Sequence, residues 1–212
     1  MMGYGVKKDV NKDHDWYEKA AMQGDKRGQY SLALLYSGKY GIPENQKAAT
    51  YWLQQAAAQE HTDSQAYLGY QYLNGKGVKK DVEKAAYWFS LAADNGNGFA
   101  ESQLGQLYLT GKGVAKDYQK AAYLFGLAAQ KGVAVAQGKL GYLYAAGIGL
   151  TKDPVKAYAW LKISAGNQYK QAQKDLNRLE KEMSTNEKEQ GQVLYNSLLK
   201  QQPVENVNTS KE

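Results

Sequence analysis

The chain offers two imidazoles for acid–base or metal chemistry, His14 and His61, and they fall in different parts of a periodic sequence. Neither belongs by spacing to an H-x-x-x-H pair or a ligand cluster, and each has polar neighbours, so both are expected to be solvated. Three aspartates, Asp81, Asp117 and Asp153, recur at a fixed interval. Paired carboxylates for acid–base work need a cleft, whereas carboxylates copied once per repeat suit helix caps. A phosphate cradle is the third possibility, because Gly75-Lys-Gly77, Gly111-Lys-Gly113 and Gly147-Ile-Gly149 stand near lysines. No strand pattern precedes these loops, no Gly-Lys-Ser/Thr follows, and a nucleotide site would not be copied into every repeat. Without cysteine there is no thiolate nucleophile, disulfide or thiolate zinc site. The expectation is a protein that is not an enzyme, with no catalytic residue, no cofactor and no metal.

The interval carries more information than the residues it brings together. Tyr36, Tyr72, Tyr108 and Tyr144 stand 36 residues apart, as do Gly5, Gly41, Gly77, Gly113 and Gly149. Trp16, Trp52, Trp88 and Trp160 keep the same step with Leu124 in the missing place, and Leu32, Leu68, Leu104, Leu140 and Leu176 form an unbroken column. Ala21, Ala57, Ala93, Ala129 and Ala165 form another. Several columns in one register define a repeat architecture.

Each unit contains two helical patterns around a glycine loop. Ala85, Trp88, Phe89, Ala92 and Ala93 fall at i, i+3, i+4, i+7 and i+8, one stripe of an amphipathic helix. Leu68, Gly69 and Tyr72 share a face of the preceding helix, directed at its partner. A glycine recurring inside a helix at 69, 105 and 141 predicts close approach of a Trp or Phe from the neighbouring helix. In the loops, Gly75, Gly111 and Gly147 suit a left-handed helix stop, and Asp81, Asp117 and Asp153 the next N-cap.

The string Leu68-Gly69-x-x-Tyr72-x-x-Gly75-x-Gly77-Val78-x-x-Asp81-x-x-Lys84-Ala85-x-x-Trp88-x-x-x-Ala92-Ala93 resembles the unit of the Sel-1-like repeat family, relatives of tetratricopeptide helical hairpins. The resemblance runs over roughly residues 3–177. It implies an all-α, right-handed α-solenoid of 36-residue antiparallel helix pairs that binds proteins, common in bacteria and generally without catalysis. Departures are local: Leu124 for tryptophan, Glu60 and Gln168 where Gly24, Gly96 and Gly132 sit, Gly38 one place early, and Asn45 for aspartate. The expected organisation is an incomplete first repeat at 1–24, a loop and one helix without its partner. Four complete hairpins follow over 25–170, then capping helices over 171–202 and a disordered polar tail at 203–212. Ser184-Thr-Asn-Glu187 predicts a capping box for a last helix carrying Val193, Leu194, Leu198 and Leu199.

Function is then sought where the fold makes no demand. Positions 67, 70 and 74 point away from the packing face of the first helix, the side that lines the concave surface in repeat proteins of this build. Their columns vary between units: Ser31, Tyr67, Gln103, Lys139; then Leu34, Tyr70, Gln106, Tyr142; then Asn74, Thr110, Ala146. The expected protein-binding set is Ser31, Leu34, Tyr67, Tyr70, Asn74, Gln103, Gln106, Thr110, Lys139 and Tyr142. Its alternative is that Tyr67, Tyr70 and Tyr142 only pack between repeats. Most of the loop lysines Lys76, Lys79, Lys80, Lys112, Lys116 and Lys152 have acidic helix starts beside them, and the net charge of +6 is modest, so nucleic acid is not expected. No long apolar window or signal peptide is visible, so no membrane insertion is expected. The compartment reads as cytoplasmic as written, or as periplasmic or secreted if a signal has been removed. The predicted role is a monomeric, non-enzymatic scaffold or adaptor binding another protein or peptide; an immunity or inhibitor protein against a toxic effector is the alternative.

Overall fold

The computed structural model describes residues 10–202, and the tail expected at 203–212 lies outside them. Among the described residues the chain forms eleven α-helices and no strand, the all-α architecture expected from the periodicity. It divides into two compact units, Met1–Asn97 and Gly98–Glu212. The first holds α1 (Val10–Met22), α2 (Lys26–Leu34), α3 (Gln46–Ala58), α4 (Thr62–Asn74) and α5 (Val82–Asp94). The second holds α6 (Gly98–Thr110), α7 (Tyr118–Gln130), α8 (Ala134–Ala146), α9 (Pro154–Gly166), α10 (Lys170–Glu182) and α11 (Thr185–Gln201). Within them α2/α3, α4/α5, α6/α7 and α8/α9 pack as hairpins.

One loop chemistry closes α4/α5, α6/α7 and α8/α9. Helix α4 stops at Gly75, whose left-handed backbone lets its N–H reach the Gln71 carbonyl at 2.8 Å. The chain then returns so that the Asp81 N–H donates to the Tyr72 carbonyl at 2.9 Å, while the Asp81 carboxylate accepts from the Lys84 N–H at 2.9 Å. The Lys84 ammonium lies 5.6 Å over the Tyr72 ring. In the second unit Asp117 and Asp153 make the same return to Tyr108 and Tyr144, each at 3.0 Å, with Lys120 and Lys156 over those rings at 4.4 and 5.4 Å. The second loop glycine rests on a helix start: a Cβ on Gly149, at φ +73°, would lie 2.1 Å from the Tyr118 carbonyl oxygen.

The cores follow the in-helix glycines. A Cβ on Gly69 would lie 2.7 Å from the Phe89 ring, and one on Gly141 2.7 Å from Leu161. The neighbour is thus the residue after the tryptophan column: Leu53, Phe89, Phe125 and Leu161 are all fully buried, whereas Trp52 and Trp88 are half-buried. Burial of the tryptophans is uneven, from Trp16 at 73% exposed on α1 to Trp160 at 7% on α9.

Departures from the repeat are absorbed locally. Gly38 takes the left-handed turn one place early, and α2 ends in a π-helical turn, Leu35–Lys39, instead of a simple glycine stop. Glu60 and Gln168 adopt the positive φ that Gly24, Gly96 and Gly132 adopt elsewhere. The capping box at Ser184 and Glu187 forms, as expected. On α11 Val193 and Leu199 are exposed, whereas Gly191, Tyr195 and the expected Leu198 face the fold. Their i, i+4, i+7 spacing makes one stripe, with Gly191 allowing backbone approach to Tyr158 of α9. Helix α11 covers the side of α9 where Ala159 is fully buried. The positions equivalent to Ala159 on α3, α5 and α7 are the exposed Tyr51, Tyr87 and Tyr123.

Candidate functional site

Both histidines prove to be more engaged than their polar contexts suggest. His61 is the N-cap of α4: its Nδ1 accepts from the Ser64 N–H at 3.3 Å and lies 2.9 Å from the Ser64 hydroxyl. Its ring also packs on Tyr30 at 4.9 Å. Burial lowers the His61 pKa from its ordinary value, Lys26 and Arg27 adding to the effect against Asp63 and Asp25. A cap that works only with a neutral Nδ1 contributes stability above the unfolded-state pKa and loses it as the pH falls through the depressed folded value. Urea unfolding from pH 8 to 5 is therefore expected to show an acid-side loss of stability that is smaller in His61→Asn, which caps without titrating. Parallel profiles would remove His61 from the cap.

His14 hydrogen-bonds the Tyr36 hydroxyl through Nε2 at 3.1 Å. One turn of α1 also brings the ligand atoms of His14, Asp15 and Glu18 within 4.8 Å of one another. Sequence spacing did not suggest this cluster, because i, i+1 and i+4 is not a usual ligand signature. Asp15 is exposed, and one helical turn leaves most of a coordination shell to water. Glu101 is a buried carboxylate in the column of the buried Gln29, Gln65 and Gln137, and it is paired with Lys131. That pair fills a packing position.

The free face of the first helices gives a different picture in each unit. In the first, Ser31 and Leu34 are half-buried, and Tyr67 and Tyr70 pack edge-to-face at 6.2 Å with the Lys76 ammonium 5.7 Å over Tyr70. Asn74 is exposed and its amide donates to the Tyr70 carbonyl at 2.9 Å. In the second, Gln103, Gln106 and Lys139 are half-buried, and the exposed Thr110 donates to the Gln106 carbonyl at 2.8 Å. Tyr142 is 44% exposed.

Beside Tyr142 lies a cavity of about 190 Å³, bounded by Ala145, Ala146, Asp175, Arg178, Leu179 and Glu182. Its α10 residues are the next members of the free columns, since 139, 142 and 146 plus 36 give Asp175, Arg178 and Glu182. The buried Leu179 likewise follows Leu107 and Leu143. The space is open because Ala145 and Ala146 stand where the previous unit has Leu109 and Thr110. Sequence reasoning named Tyr142 and missed α10, because apart from Leu176 the fold-determining columns fade after Ala172. The same 36-residue step applied to the variable columns would have found it.

A family model described as Sel1 repeat matches residues 1–25, 26–61, 62–97, 98–133 and 134–168. No curated protein matches the chain. Among solved structures, the chain is similar to a protective antigen of uropathogenic Escherichia coli displaying an SLR fold, at 34% identity and a TM-score of 0.85. That alignment covers 93% of this chain and 42% of the antigen, so the chain spans about two fifths of the antigen's length. A Sel1 repeat protein from Oxalobacter formigenes aligns at 35% identity and a TM-score of 0.75, over 91% of this chain and 81% of that one. Helicobacter pylori cysteine rich protein B aligns at 32% identity and a TM-score of 0.50, over 66% of this chain and 100% of that one.

Proposed function

The chain belongs to the Sel1 repeat family, whose members are generally non-catalytic scaffolds that bind other proteins, and from that premise we propose that it docks a partner protein on the free face of α8 and α10. The observation that supports this reading most is the cavity beside Tyr142, bounded by residues from the very columns that the fold leaves unconstrained. An exposed tyrosine next to a depression supplies a large, rigid contact area with a hydroxyl, the type of residue that concentrates binding energy at an interface. The role is that of an adaptor without catalysis of its own. No helix among the described residues is long and apolar enough to cross a membrane.

The test begins with capture of a partner on immobilised protein, identification by mass spectrometry, and titration of the purified pair. Tyr142→Ala is expected to weaken that complex by about 2 kcal/mol, roughly thirtyfold, with an unchanged far-UV spectrum. The loop variant Lys79→Ala/Lys80→Ala/Lys116→Ala should change the salt dependence and on-rate more than the final affinity. Normal binding by the tyrosine variant together with lost binding by the lysine variant would move recognition to the loops.

A further inference from the structure

We infer that the α8/α10 cavity is a subsite for one basic side chain, a lysine or arginine, of the docked protein, an inference that rests on the reading of this face as the docking surface. The cavity, at about 190 Å³, falls below the roughly 300–1,000 Å³ of small-molecule sites, which favours a single side chain as occupant. Its apolar lining, Ala145, Ala146 and the buried Leu179, suits the methylene stem of a long side chain. Its rim holds the Tyr142 ring, which attracts a cation to its face, and the carboxylates of Asp175 and Glu182.

Arg178 is the one opposing charge on that rim. It lies at i+3 from Asp175 and i−4 from Glu182 on α10, so both carboxylates are its neighbours on one helix face. A partner carboxylate approaching Arg178 therefore meets two like charges and one opposite charge. A partner cation meets the reverse. Asp175 already accepts from the Gln171 amide at 2.9 Å, which holds that carboxylate in place, whereas the exposed Arg178 can swing away into solvent.

The two signs of ligand make opposite predictions for one substitution. Backbone amide spectra of the full chain would be followed during titration with N-acetyl-arginine methylamide, N-acetyl-glutamate methylamide and N-acetyl-norleucine methylamide. The arginine probe is expected to shift Tyr142, Ala145, Ala146 and Leu179, to bind about threefold more tightly in Arg178→Gln, and to lose binding in Asp175→Asn/Glu182→Gln. The amide spectra of each variant report directly whether it is folded. A glutamate probe that binds there and is lost in Arg178→Gln would reverse the inference. Norleucine binding as well as arginine, or no probe binding at all, would also overturn it. Should the probes fail while Tyr142→Ala still weakens the captured complex, the docking face stands and the basic-side-chain subsite falls.

Discussion

Phe89→Ala is expected to lower the unfolding free energy by about 3–5 kcal/mol, the largest effect of any single truncation in the first unit. The Phe89 ring is fully buried and lies against Gly69, where a Cβ would come within 2.7 Å of it. Neither side can relax to fill the void, because the glycine contributes no side chain and the helix backbone already lies in contact. Trp88→Ala removes more atoms but from a half-buried position that packs edge-to-face with exposed Tyr87 at 5.2 Å. It should cost less, about 1–3 kcal/mol. Urea unfolding followed by circular dichroism orders the two; a larger loss for Trp88 would place the seam on the tryptophan column.

Gly149→Ala is the second large effect, expected at about 3 kcal/mol or more. Two costs coincide there. The backbone sits at φ +73°, and the added methyl would lie 2.1 Å from the Tyr118 carbonyl oxygen, so the loop must lift from the start of α7. Gly126→Ala is the counterpart: it lies inside α7 with nothing within 4 Å of the added methyl, and helix propensity predicts a gain of about 0.5–1 kcal/mol. Equal losses at both positions would mean that the loop contact does not govern the cost.

The periodicity of the sequence was enough to place the hairpins, the left-handed stops and the aspartate caps, because each depends on local chemistry repeated in register. It could not separate Trp88 from Phe89. On a helical wheel both border the same stripe, and only the crossing geometry of the partner helix makes one central and the other a flank. Nor did it single out an inner side for α11, since Val193 and Leu199 are as apolar as Leu198, and the choice falls to the stripe that contains Gly191. The candidate site was half legible for a related reason. The positions proposed for recognition vary between units, so they carry no periodic signal of their own where the constant columns end, and Asp175, Arg178 and Glu182 on α10 went unread.

The alanine at 159 bears on how such a chain can lengthen. On α3, α5 and α7 the corresponding tyrosines stand in solvent, and a duplicated copy of such a hairpin would ask nothing new of its outer side. The α9 helix is different, because Ala159 is fully buried and the neighbouring Tyr158 lies against Gly191 of α11. Duplicating that hairpin would create an alanine-faced helix without its cover, and moving α11 onto a tyrosine-bearing helix would bring its backbone against a side chain too large for the gap. The segment from α8 to α11 therefore behaves as one cassette, and growth of the array by duplication or engineering belongs upstream of it.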